Sequence, residues 1–245
     1  MKKYLILQIL NFFDFFYQRK IFKFLKRNNH NTFDVLFDVG AHKGESIKLF
    51  LKNFNVNTIY SFEASPINFE KLMIAKKKYN KRFEKSNIII ENLALGSENK
   101  NILLKQSDES SSSTLNDINY ESSYFKKKQQ LLKSKNKFFT EIDVKMVTLD
   151  NYVSQKEIQK IDFLKIDTEG YEYEVLLGMK ETIKKVQLIM FEHHYDDMIK
   201  KSYKYYDIKK LLINNNFTQI YKSKMPFRKT FEYIYINDSF NRPLY

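Results

Sequence analysis

"FDVGAHKGES", residues 37–46, ends an apolar run, turns, and enters a helix-like run, and it holds two of the five glycines in a chain of 245 residues. Globular chains average about 7% glycine, so in a chain this lean each glycine marks a place where a side chain is excluded. The run before it, "FDVLFDV" (33–39), is apolar, β-branched and aromatic; the run after it, "ESIKLFLKNF", spaces its apolar residues as a helix does. Strand, glycine turn and helix together open a nucleotide-type α/β unit.

The alternation continues outward from that turn. "TIYSFEA" (58–64), "NIIIENLAL" (87–95), "IDFLKID" (161–167) and "VQLIMFE" (186–192) are short apolar runs with little polar alternation, as expected of parallel strands covered on both faces. Ser65 and Pro66 form a helix start, and "INFEKLMIAKKKY" continues it. The order predicts a doubly wound α/β fold with a mostly parallel, Rossmann-like sheet. Near the end of the chain, "YDIKKLLINNN" reads as a helix, and "FTQIYKS" and "FEYIYIN" as an antiparallel pair closing the sheet edge. Residues 107–141 break the alternation with a Ser-rich and then a Lys-rich run, and they read as an insertion or long loop. The expected organisation is an amphipathic helical segment over 1–29 and one α/β domain over 30–245.

With 43% hydrophobic residues the chain is long enough for one sizeable core, and with no cysteine it has neither disulfides nor thiol chemistry, which is compatible with a cytoplasmic location. The formal charge of +13 is unevenly spread. Residues 1–29 hold seven Lys/Arg against Asp14, residues 122–140 hold six with no acid, and residues 198–230 hold nine against Asp207, together +20 and leaving −7 for the remainder. The basic character is therefore peripheral to the turn motifs. No run of 18 uncharged apolar residues exists, so no membrane-spanning helix is expected. Residues 1–29 are not expected to be a signal peptide, because Asp14 interrupts the apolar run and no small-residue cleavage site follows. Gln8, Asn11, Asp14 and Gln18 make a thin polar stripe on this Phe-rich segment. It reads either as docked on the domain or as lying in a membrane interface, on the inner face, with Lys20, Lys23, Lys26 and Arg27 toward the lipid.

The turn also restricts the ligand. A P-loop needs four residues between its glycines followed by lysine, whereas three intervene here and Glu45 follows Gly44. A dinucleotide fingerprint needs glycine where His42 stands. S-adenosylmethionine carries no phosphate and meets neither objection. In that reading Gly40 and Ala41 let the backbone approach the methionine part, Asp38 at the strand end holds the ammonium, and Glu63 at the end of the second strand accepts the ribose hydroxyls.

"FDVGAHKGE", "YSFEASP", "NLALG", "SSSTL", "VTLDNYV", "FLKIDTEGYEYEVLLG" and "IMFEHH", in this order, resemble the FkbM-type family of S-adenosylmethionine-dependent methyltransferases. The resemblance covers residues 33 to about 236. It implies a class I methyltransferase fold of seven strands with the last antiparallel, and O-methylation of a hydroxyl on a sugar, glycolipid or cell-surface glycan. It carries over Asp38, Gly40, Gly44 and Glu63 as cofactor contacts, with Asn92 and Ala94 beside the adenine and Ala64 in the same strand-end loop. Ser111 to Ser113 read either as a loop over the cofactor or as a flexible stretch. The Lys-rich tract at 126–137 and the N-terminal helix have no counterpart in the resemblance.

The reaction-bearing candidates follow the fourth and fifth strands. Asp167 orients cofactor or acceptor, Glu169 is a candidate base, and Gly170 allows close packing of the next helix. Glu192, His193 and His194 end the fifth strand. Neighbours on a strand face opposite ways, so one histidine alone faces the site; His193 is preferred, with His194 and Glu169 as rivals for the proton-accepting role. No metal is assigned, although the carboxylates are of the type that holds magnesium. The basic flanks leave an RNA methyltransferase and a membrane-bound, non-catalytic binding module as alternatives, but with lysine far outnumbering arginine a nucleic-acid partner is disfavoured.

Overall fold

The computed structural model describes residues 17–107, 113–132 and 139–240. Residues 17–27 form helix α1. The turn motif joins β1 (Thr32–Val39) to α2 (Glu45–Asn53), and β2 (Asn55–Phe62), α3 (Pro66–Arg82) and β3 (Asn87–Glu91) complete the first half. The second half places β8 (Ile161–Ile166), α6 (Glu172–Leu177), β9 (Val186–His194), α7 (Tyr205–Asn214), β11 (Phe217–Lys224) and β12 (Thr230–Asn237).

These strands make a seven-stranded sheet in the order β11-β12-β9-β8-β1-β2-β3. Pairs β9/β8, β8/β1, β1/β2 and β2/β3 are parallel. The final strand β12 is antiparallel to both of its neighbours, β9 and β11. The expected doubly wound sheet is present, with the antiparallel pair β11/β12 closing one edge and β12 lying between β9 and β11. The order reverses at β1/β8, which places the ligand crevice at the carboxyl ends of these strands.

Period-two alternation sends successive residues to opposite faces. Phe37, Val39, Leu164, Ile166, Ile189 and Phe191 enter one core with α5 (Leu149–Gln155), α6 and α7. Leu36, Phe163, Leu188 and Met190 enter the other with α1, α2 and α3. The described part of the N-terminal helix spends its apolar side there: Tyr17, Ile21, Phe22 and Leu25 are buried, and Phe22 meets Phe54 edge-on at 5.3 Å. Residues 1–16 lie outside the described residues.

Two expectations change. "NIIIENLAL" is two strands: β3 stays in the main sheet, while β4 (Ala94–Leu95) joins β7 (Phe139–Val147) and β5 (Lys100–Ser107) in a separate three-stranded sheet. The break falls where Asn92 folds back to donate to the carbonyls of Glu63 and Ala64. The segment read as a long loop over 107–141 contains, among its described residues, β6 (Asp117–Ile118), which pairs with β10 (Ile199–Lys200), and α4 (Ser123–Leu132).

Candidate active site

At the end of β1, Gly40 has φ +83°, and a Cβ there would stand 1.9 Å from the Asp167 carbonyl oxygen. The chain segment that excludes a side chain at Gly40 is thus the end of β8. Gly44, φ +89°, lets α2 start against Leu72 and Tyr79 of α3. Ala41 is buried, and the N–H groups of Gly40 and Ala41 both donate to Phe62 O at 3.0 Å, closing the loop on β2.

Glu63, just beyond β2, is nearly buried. One carboxylate oxygen accepts from His42 N at 2.7 Å and the other from Ser65 N at 2.9 Å. Burial pushes its pKa up to about 7 against these hydrogen bonds, which lower it. A carboxylate has about four acceptor positions, so further donors would be welcome. Ala64 is half-buried, tethered through its carbonyl by Asn92, and Ala94 is buried in β4.

Asp38 sits with 0% exposure below the loop. Oδ2 accepts from the Ser46 hydroxyl, whereas Oδ1 lies 3.3 Å from Lys165 Nζ without hydrogen-bond geometry. Lys165 faces Asp38 across the β1/β8 register and donates to Asp167 Oδ2 at 3.1 Å. Burial opposes its charge, but Asp167 and Asp38 overcome that and hold it well above the ordinary lysine value. Burial raises Asp167, but Lys165 outweighs it and holds the carboxyl below its usual range. Of the two acids Asp167 is the more open, so it, more than Asp38, presents a carboxylate to a ligand.

The turn after β8 is fixed from two sides. Buried Glu172 accepts from Thr168 N, from Gly170 N at 2.9 Å and from Tyr203 OH at 2.6 Å. From the segment before β6, Thr114 Oγ1 donates to Glu169 O and Asn116 Nδ2 to Gly170 O. Glu169 is held at φ +51°, an uncommon backbone for a residue with a side chain and one that clusters at functional sites. Gly170 packs against Ile199.

His194, not His193, joins the acids. Its Nε2 lies 3.2 Å from Glu192 Oε1 and 3.5 Å from Glu169 Oε2, and its Nδ1 is 3.2 Å from Thr230 Oγ1 and 3.7 Å from Asp196 Oδ2. Burial works against its charge, yet Glu169, Asp196 and Glu192 push its pKa up to about 10, so it is an imidazolium at neutral pH. Burial, with Asp167 nearby, raises Glu192 well above its normal value. His193 points to the opposite face, ringed by Tyr195, Tyr203 and Tyr205, and burial pushes it down to about 3. The neutral histidine expected beside the acids is therefore placed in a tyrosine cage instead.

The structure thus gathers Asp38, Lys165, Asp167, Glu169, Glu192 and His194 at one end of one sheet face, with Glu232 opposite Glu192 on β12. Sequence reading passed over Lys165, although a lysine inside "IDFLKID" was itself a signal, and it passed over Glu172 within "KIDTEGYE". Ser111 and Ser112 lie outside the described residues; Ser113 Oγ accepts from Ser107 N and Gln106 Nε2. Among the described residues no group of three or more acids and histidines is arranged to hold a metal ion.

The methyltransferase FkbM domain matches residues 38–218, three quarters of the chain and all of this site except Thr230 and Glu232 on β12. The chain belongs to the FkbM methyltransferase family. Its cofactor as a member of that family is S-adenosylmethionine. The fold agrees: the FkbM methyltransferase of Methylobacillus flagellatus KT superposes with a TM-score of 0.55 at 13% identity, over 83% of this chain and 43% of that one. The chain therefore spans less than half the length of that relative. The magnesium protoporphyrin IX methyltransferase of Synechocystis PCC 6803, solved with S-adenosylhomocysteine, superposes with a TM-score of 0.53 at 8% identity, over 95% and 87%. A search of curated proteins finds no match. The residues fit this cofactor: the Glu63 carboxylate at the end of β2 suits a diol, the more open Asp167 carboxylate suits an ammonium where fully buried Asp38 does not reach the surface, and the acidity of the cluster suits a ligand without phosphate.

Proposed function

We propose that this chain is a cytoplasmic enzyme that transfers the methyl group of S-adenosylmethionine to a hydroxyl of a sugar, glycolipid or cell-surface glycan. Glu63 would take the ribose hydroxyls, Asn92, Ala64 and Ala94 would border the adenine, and the Asp38–Lys165–Asp167 group would face the charged methionine end beside Gly40, Ala41 and Gly44. The cofactor supplies an electrophilic methyl on sulfonium. The acceptor hydroxyl that would take this methyl would have to give up its proton. In this reading Glu169 takes that proton, and His194, beside Glu169 and braced by Glu192 and Asp196, aims its carboxylate.

The observation that carries this reading is the His194 ring set 3.5 Å from Glu169 and 3.2 Å from Glu192 at the end of β8 and β9. Carboxylates are acceptors for the hydroxyls of a sugar, whereas the same acids repel a phosphate backbone, which disfavours RNA as acceptor. Incubation with methyl-labelled cofactor and separated glycan, glycolipid and RNA fractions tests it. Label is expected in an ether on glycan or glycolipid; label in RNA alone, or none in any fraction from a protein that binds the cofactor, overturns it. Glu169→Gln is expected to reduce kcat by about 10²-fold with cofactor affinity retained.

A further inference from the structure

The two helical layers differ in charge. On one face α1, α2 and α3 hold thirteen Lys/Arg against Glu45 and Glu70, and all of these basic residues but Lys76 are exposed. On the other, α5, α6 and α7 hold Lys209 and Lys210 against Asp150, Glu172, Glu174 and Asp207. The helices of that face thus carry a net charge of +11, a dense positive patch on one side. That side is also apolar in one place: Ile67, Met73 and Ile74 of α3 are 47%, 42% and 70% exposed. Ile67 and Ile74 stand seven residues apart, in one stripe with Lys71 and Lys78.

We propose that the outward side of α1, α2 and α3 docks on an anionic phospholipid bilayer. Lysine heads reach the headgroup charge while Ile67, Met73 and Ile74 enter the boundary with the acyl chains. A nucleic acid would call for arginine forks and open aromatic faces. Ten of the thirteen cations are lysines, and the aromatics of this layer turn inward: Phe22, Phe50 and Tyr79 are buried, Phe24 and Phe69 half-buried. The inference concerns this surface alone and stands apart from the choice of acceptor.

Vesicle sedimentation of the full chain tests it, with phosphatidylcholine vesicles containing about 30% phosphatidylserine or none. The protein is expected to sediment with the anionic vesicles only, and to be released by about 0.5 M NaCl, where charges are screened within a few ångströms. The variant Lys71→Glu/Lys77→Glu/Lys78→Glu/Lys81→Glu should lower partitioning by about tenfold or more. Ile74→Asp should lower it by a smaller factor, with thermal unfolding and the S-adenosylmethionine-induced shift unchanged in both. Equal binding to neutral vesicles, or full binding by the quadruple variant, overturns the proposal. So does a single-stranded RNA oligonucleotide that binds more tightly than the anionic vesicles and displaces them.

Discussion

Gly40 shows how little room the site leaves for change. Gly40→Ala would set a Cβ against the Asp167 carbonyl in a left-handed backbone, and a loss of about 3 kcal/mol or more is expected in urea unfolding. Glu63 makes cofactor binding sensitive to pH. Hydroxyl donors favour its charged form, so below about pH 7, where the free carboxyl protonates, calorimetric affinity for S-adenosylmethionine should fall, by up to tenfold per unit, and Glu63→Gln should flatten the dependence. The histidines separate by role. His194→Asn should lower kcat with cofactor affinity kept. His193 has a depressed pKa, so the unfolded chain binds its proton below pH 6.5 while the folded one does not, and stability falls as pH falls. Between pH 6.5 and 5 this is worth about 2 kcal/mol, which His193→Phe should abolish in parallel melts. The sequence showed that one histidine alone could face the acids; the choice depended on the register of β9 against β8, which no local pattern reveals.

Among the elements, α1 is the clearest case of a segment legible in type but not in placement. Its apolar spacing marked an amphipathic helix, yet a membrane and the domain surface present the same apolar demand. In the structure Leu25 is 0% exposed, so Leu25→Ala should cost about 2–5 kcal/mol, read as a lowered denaturation midpoint. β1, β2, β8 and β9 were legible because both faces are covered and the runs are continuously apolar. β5 and β7 were not, because "KNILLKQS" and "FTEIDVKMV" are half-wet and find each other across a 31-residue interval of polar chain. The latch of Thr114 and Asn116 onto the Glu169–Gly170 turn was invisible for the same reason: each bond spans more than fifty residues.

For the whole molecule, the fold class and the mostly parallel sheet followed from the order of short patterns, while the charge contacts inside the crevice did not. They join Asp38 to Lys165 and Glu169 to His194, pairs brought together only once the sheet is assembled. Hydrogen exchange should rank the sheet accordingly: β1, β8 and β9, covered by both cores, exchange slowest, and the edge strands β3 and β11 fastest. The position of β12 has a further consequence for biosynthesis. Until residue 237 has left the ribosome, the nascent sheet has an open slot between β9 and β11 with unpaired backbone on either side, so the chain emerges with two sticky edges that only its own last strand can seal.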